Sequence, residues 1–262
     1  MNTNLPYIPE RSAKPRERGV TMMMDKGLSI REVEDFIETS AIFTDLVKFG
    51  FGTSLLTNKL KDKIRLYKAA NIKPYFGGTL FEAYVIRGMF DEFLKFLDKH
   101  ELEVAEVSDG SMAMPHDMKL ELLSKLSNGR TVLSEVGSKQ KGVVLSPEQW
   151  VKNMKTELDA GAWKVIAEAR ESGTVGIYHD NGSANEELII DIAQHVPTDK
   201  ILWEAPTSKQ QVYFIKHQGA EVNLGNIATH DVIPLECLRL GLRGDTFFNF
   251  LPAEMQKYKP TC

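Results

Sequence analysis

The 262-residue sequence predicts a (β/α)8 TIM barrel, a ring of eight parallel strands enclosed by helices. Three observations carry this. Short β-branched or apolar runs alternate with longer amphipathic ones, the alternation recurs about every 25 to 35 residues, and it completes eight times in one chain. A doubly wound sheet is the competing topology. It needs a glycine-rich phosphate turn after the first strand, and Asp25-Lys26-Gly27-Leu28-Ser29 is not a G-x-G-x-x-G pattern.

In chain order, a polar, proline-containing arm over residues 1–18 comes first, and residues 19–262 are expected to form a single barrel domain. The expected strands are Val20 to Met24, Asp45 to Phe49, Ile72 to Phe76, Val104 to Val107, Thr131 to Val136, Trp163 to Ala167, Lys200 to Trp203 and Glu221 to Leu224. The helices that follow them begin near Ile30, Asn58, Leu80, Pro115, Pro147, Glu186, Ser208 and Asp231. The fifth is the best signalled: Ser146 caps it, Pro147 suits its first position, Glu148 favours the positive end of its dipole, and Gly161 follows its last turn.

Composition narrows the function. Hydrophobic residues make up 42% and charged residues 26%, an ordinary globular balance with enough apolar surface for a full core. Lys plus Arg total 32 against 36 Asp plus Glu, a net charge of −4, and basic residues form no long run, so nucleic acid is a poor partner. Cys237 and Cys262 make neither a disulfide framework nor a zinc spacing. The first residues lack an apolar leader core, and no apolar run approaches the roughly 20 residues that span a bilayer. A cytoplasmic protein without a membrane partner is expected.

The chemistry is signalled by charges inside the strand runs. Lys48 interrupts DLVKFG, Glu106 VAEVSDG, Glu135 VLSEVG and Glu168 VIAEA, while Glu204 ends ILWEA. Barrel strands are covered on both faces, so such charges belong at a mouth or in a pair. All fall late in their strands, at the face where barrel active sites are built. Glu168 and Arg170, two residues apart in extended chain, point to the same side. Arg170 offers a planar fork for a carboxylate or phosphate, and Ser172 and Gly173 begin a glycine-containing stretch whose backbone can approach an anion. Gly225 and Asn226 follow in the region where barrel enzymes hold phosphate.

A single strand glutamate can simply pair with Lys48 or Arg170 in an internal network. Four of them, Glu106, Glu135, Glu168 and Glu204, repel one another, and a hard divalent cation with oxygen ligands relieves that repulsion. Mg2+ suits the set better than zinc, since no two histidines have ligand spacing. Ser134 and Ser172 lack the context of a hydrolase nucleophile. His179, in the loop after the sixth strand, is the histidine best placed to lie near a substrate. These residues describe a barrel enzyme for a small anionic, phosphorylated substrate with Mg2+, and they leave the reaction open.

Several stretches together resemble the phosphosulfolactate synthase family along nearly the whole chain: DKG at Asp25, DLVKFGFGTS from Asp45, GGTLFE from Gly77, VSDGS from Val107, LSEVGSK from Leu133, EARESG from Glu168, WEAP at Trp203, NLGNI from Asn223 and LRLGLRGDT from Leu238. The resemblance implies a (β/α)8 barrel that adds sulfite to phosphoenolpyruvate with Mg2+, giving (2R)-phospho-3-sulfolactate for coenzyme M or sulfolactate biosynthesis, and it implies a homo-oligomer. Mapped onto this sequence, it makes Lys139 the general acid, gives Lys26 and Lys48 the sulfite or carboxylate, and gives Arg170, Gly225 and Asn226 the phosphate. The chain departs from the family where Ser138-Lys139 replaces two lysines and Ala169 replaces a glycine. Two alternatives fit the same residues: another Mg2+-assisted enolate enzyme, and a non-catalytic, stress-related barrel of the same family.

Overall fold

The computed structural model describes residues 3–138, 145–170 and 172–260. Its eight strands run parallel: β1 (Thr21–Asp25), β2 (Leu46–Phe49), β3 (Lys73–Phe76), β4 (Val104–Val107), β5 (Thr131–Val136), β6 (Lys164–Ala167), β7 (Ile201–Glu204) and β8 (Leu224–Ile227). They are joined in the order β3-β2-β1-β8-β7-β6-β5-β4. β3 stands beside β4, and among the described residues no ladder links that pair, so the barrel closes except at one seam.

Helices α1 (Ile30–Ser40), α2 (Thr53–Leu56), α3 (Leu60–Ala69), α4 (Gly78–Val85), α5 (Phe90–Lys99), α6 (His116–Ser127), α7 (Pro147–Asp159), α8 (Glu186–His195), α9 (Ser208–Gln218) and α10 (Val232–Arg239) lie between and after the strands. The Ser146 side chain caps α7 by accepting from the Gln149 N–H, with Pro147 at the first position as its chemistry favours. A capping box of Ser29 and Glu32 starts α1, and one of Thr207 and Gln210 starts α9.

Period-two alternation explains the layering. Met22, Leu46, Tyr75, Val104, Leu133, Ile166 and Leu202 turn inward and form one buried cluster that fills the barrel. Their outward neighbours, such as Met23, Val47, Val132, Val165 and Trp203, pack beneath the helices. One layer above the inner cluster, the same alternation turns Lys48, Glu106, Glu135 and Glu204 inward.

The last strand starts later than its sequence suggests, at Leu224 rather than Glu221. Alternating polarity makes Glu221-Val222-Asn223 read as strand, but these polar side chains are anchors at the barrel bottom. The Asn223 side chain accepts from the Val20 N–H at 3.0 Å and donates to the carbonyls of Asp199 and Ile201. Glu221 accepts from Arg11 and Ser12.

The N-terminal arm closes this bottom end. Arg11 pairs with Glu236 at 2.9 Å, Arg16 pairs with Asp45 at 3.0 Å, and Lys14 donates to the carbonyls of Ala41 and Thr44. Lys164, inward on β6, donates to the carbonyls of Glu17 and Asp199 at 2.7 and 2.6 Å, and burial pushes its ammonium down to about 8. With this end sealed, the carboxyl-terminal mouth is the face that carries the chemistry.

Candidate active site

Lys48 occupies the centre of the mouth. The inward pleat of β2 buries its stem, and Nζ stands 2.9 Å from Glu106 Oε1, 3.2 Å from Glu135 Oε2 and 3.5 Å from Glu204 Oε1. Burial works against its charge, but Glu106, Glu135 and Glu204 outweigh that penalty and hold its proton well above the ordinary lysine range. Lys48 is therefore a buried cation held by these carboxylates.

The glutamates differ in what surrounds them. Glu135, Glu168 and Glu204, from the ends of β5, β6 and β7, bring carboxylate oxygens within 4.8 Å of one another, and all three are buried. Glu204 accepts the Ala169 N–H at 2.8 Å through Oε2, while Oε1 faces Lys48. Glu106 lies outside this trio. Its Oε1 takes the Gly78 N–H at 2.5 Å as well as Lys48. A side chain at position 78 would meet that oxygen at 2.8 Å and run into the Ser108 Cβ, so glycine permits the approach.

An all-oxygen trio with one lysine beside it suits a hard divalent cation better than a soft one. The three carboxylates, carried by the neighbouring strands β5, β6 and β7, are close enough to share such an ion, so the residues fit Mg2+.

Around the trio lies a cavity of about 200 Å3 whose walls include Phe51, Thr79, Arg170 and Asn226. Arg170 is exposed at its rim, two residues beyond Glu168 as the extended chain dictates. Asn226 is buried with a left-handed φ of 57° and reaches toward the Ala169 carbonyl. Gly225 sits one layer lower, where a Cβ would meet Met22 Cε at 2.8 Å, so its small size makes room for core packing.

Ser172 and Gly173 belong to the turn behind Arg170. Ser172 Oγ lies 2.8 Å from Thr174 Oγ1, and the Gly173 N–H donates to the Arg170 carbonyl at 2.7 Å. Gln210 then secures this turn to the start of α9 by donating to the carbonyls of Gly173 and Gly182. Lys26 is exposed after β1, its stem passing over Gly50 beside Met24. Lys139 lies outside the described residues. His179 is exposed in the β6–α8 loop and donates its backbone N–H to the Ser183 carbonyl.

Several contributors carried no signal in sequence. Asp25 ends β1 and faces outward. There it accepts from Lys63 Nζ at 2.6 Å, the Tyr67 hydroxyl at 2.9 Å and the N–H groups of Gly27 and Leu28. Lys119 of α6 is fully buried and donates to the Glu135 carbonyl at 2.6 Å, to Asp109 at 2.8 Å and to Glu157 at 2.9 Å. It holds the end of β5 in place. Burial opposes its charge, and Glu157 and Asp109 more than offset that effect, raising its proton affinity.

The family model of (2R)-phospho-3-sulfolactate synthase (ComA) matches residues 9–245. The chain belongs to this family. A phosphosulfolactate synthase of Bacillus subtilis is 41% identical over 244 residues, covering 92% of this chain and 97% of the relative. One from Methanocaldococcus jannaschii is 43% identical over 237 residues, covering 88% of this chain and 94% of its own. As a member of the phosphosulfolactate synthase family, the protein is an enzyme, and the cluster at the mouth is where its fold places catalysis. A solved 3-hexulose-6-phosphate synthase from Salmonella typhimurium superposes with a TM-score of 0.53 at 11% identity, covering 86% of this chain and all of that one, a likeness of fold alone. Among the described residues, no helix is long and apolar enough to cross a membrane.

Proposed function

We propose that this phosphosulfolactate synthase family member is a carbon–sulfur lyase adding sulfite to phosphoenolpyruvate to give (2R)-phospho-3-sulfolactate in a Mg2+-dependent reaction. The observation that carries this reading is the Glu135–Glu168–Glu204 trio beside Lys48, with Arg170 at the rim of the same cavity. The sulfur lone pair forms a bond to the methylene carbon, the double-bond electrons move toward the carbon bearing the phosphate oxygen and its carboxylate, and that carbon takes a proton. Glu135, Glu168 and Glu204 would hold a magnesium ion, which supplies positive charge where electron density gathers on the substrate carboxylate.

The chain's own residues then have distinct tasks. Lys48, locked as a cation by its carboxylate neighbours, adds positive charge at the buried side of the cavity, where low dielectric strengthens it. Arg170 at the rim offers two parallel N–H donors for the phosphate, with Asn226 beside it. Lys26 is assigned to the sulfite side of the mouth. Lys139 is assigned the proton transfer on the basis of the family pattern. The same proposal makes the protein a cytoplasmic homo-oligomer serving sulfolactate or coenzyme M formation.

The test is 31P NMR of the purified protein with phosphoenolpyruvate, sulfite and Mg2+, repeated with EDTA. A new phosphorus signal that EDTA abolishes is the expected result. Folded protein at high concentration that leaves phosphoenolpyruvate unchanged rules the proposal out.

A further inference from the structure

Glu135 is shaped from behind by residues that the roles above do not cover. Its Oε1 accepts a hydrogen bond from Ser108 Oγ at 2.7 Å, which leaves Oε2 turned toward Lys48 Nζ at 3.2 Å. Ser108 lies two residues past Glu106, so the pleat of β4 carries it to the same interior side. Its hydroxyl is itself tethered. Ser108 Oγ also lies 2.7 Å from Glu82 Oε1, and since the hydroxyl has one proton, bonding both carboxylates requires one of the two to carry a proton; the Gly110 N–H donates to Ser108 Oγ at 3.3 Å, and Glu82 Oε2 accepts the Ser111 N–H at 2.7 Å.

Two physical arguments give this tether a task at the site. The terminal torsion of a glutamate is broad and roughly two-fold, so a carboxylate without a fixed partner swings between orientations. Ser108 removes that freedom for Glu135 by occupying one named oxygen. Glu82 comes from α4, a different element from β4 and β5, and is only 3% exposed. Burying a carboxylate is costly, and an apolar side chain of similar volume packs a helix–strand contact at least as well, so stability alone does not select it. Groups behind a metal ligand do select such residues, because they set the direction of the ligand's lone pairs.

We infer that Ser108, anchored by Glu82, is a positioning residue for Glu135: it pins one carboxylate oxygen so that the other presents to the cation shared with Glu168 and Glu204. This rests on the reading of the trio as the cation seat. It accounts for the GGTLFE and VSDGS stretches together, since the first supplies Glu82 and Gly78 and the second Ser108 and the Ser111 N–H. Gly78 is the space that lets Ser108 pack there.

The experiment titrates the metal-free, full-length protein with Mn2+ alone by calorimetry and by electron paramagnetic resonance, with thermal melts alongside. It compares wild type with Glu135→Gln, Ser108→Ala, Glu82→Leu and Glu82→Gln. Ser108→Ala and Glu82→Leu are expected to bind Mn2+ about 10- to 100-fold more weakly. Glu82→Gln retains an acceptor for Ser111 and a group that bonds Ser108, and is expected to bind within about threefold of wild type.

If Glu135→Gln loses the ion while Ser108→Ala binds as wild type does, the inference is overturned and the ligand reading stands. If wild type itself binds no Mn2+, both are overturned. Should Ser108→Ala fail to fold, the Glu82 pair decides: retention in Gln with loss in Leu upholds the inference, and equal affinities in the two overturn it.

Discussion

Lys48→Met is the most informative single perturbation of this fold. The substitution keeps an unbranched side chain of similar length but removes the cation that stands 2.9, 3.2 and 3.5 Å from three buried carboxylates. Breaking a buried pair by removing one partner costs about 3–5 kcal/mol, because the remaining charge is left uncompensated. In a chain of this size each kcal/mol moves the melting temperature by about 2–4 °C, so the metal-free variant should melt roughly 6–20 °C lower. Lys48 has a raised folded-state pKa, so its contribution is complete below the ordinary lysine value and is lost only at still higher pH. The loss should therefore be measurable anywhere near neutrality. Mg2+ should raise the melting temperature of the variant more than that of wild type, since the ion replaces part of the missing charge. Scanning calorimetry of Lys48→Met, Glu106→Gln and the double variant gives the coupling directly. Additivity within about 0.5 kcal/mol would refute the claim that Lys48 is held by these carboxylates.

Three further outcomes follow from particular contacts. Asp25→Asn strips the charge partner from buried Lys63 and should cost about 3–5 kcal/mol in a denaturant titration, without changing Mn2+ affinity once folded, because Asp25 faces away from the mouth. Gly78→Ala drives a methyl group into Ser108 and to 2.8 Å from Glu106 Oε1, so it should destabilise by about 1–3 kcal/mol and weaken cation binding too; a neutral effect on both would show that the approach is not tight. For Lys164, whose folded pKa of about 8 lies below its unfolded value, the unfolded chain binds more protons between about pH 8 and 10.5. The burial penalty is thus present in full below that window and relieved as pH rises through it. The melting temperature of wild type relative to Lys164→Met should move in favour of wild type from pH 8 to 10; a difference that does not change would refute the depressed value.

The barrel and the acidic mouth were readable because they rest on strong, local signals. An acid inside an apolar strand run has few places to go, so Glu135, Glu168 and Glu204 were placed at the mouth from spacing and burial cost alone. Glu106 has the same signal but a different setting, since only the folded chain brings Gly78 to its oxygen. Gly225 shows how one residue type can serve two ends: a glycine near a phosphate region is equally a glycine that makes room for Met22. Glu82 and Lys119 were illegible for another reason. Lys119 lies on a helix among other charged residues, Glu82 is the one charge on a short helix whose buried face the sequence does not reveal, and their partners, the carbonyl of Glu135 and Ser108, are brought to them only by packing between elements. β8 starts later than its pattern suggests because Glu221 and Asn223 mimic the polar half of an alternating strand while acting as bottom anchors.

The central claim is that Glu135, Glu168 and Glu204 form one cation seat at the mouth of this barrel. Anomalous diffraction from crystals soaked in Mn2+ tests it most directly. The account predicts a single strong anomalous peak bounded by those three carboxylates, absent in Glu168→Gln crystals soaked in parallel. A peak elsewhere, or wild-type crystals with no peak between the three at saturating Mn2+, would contradict it.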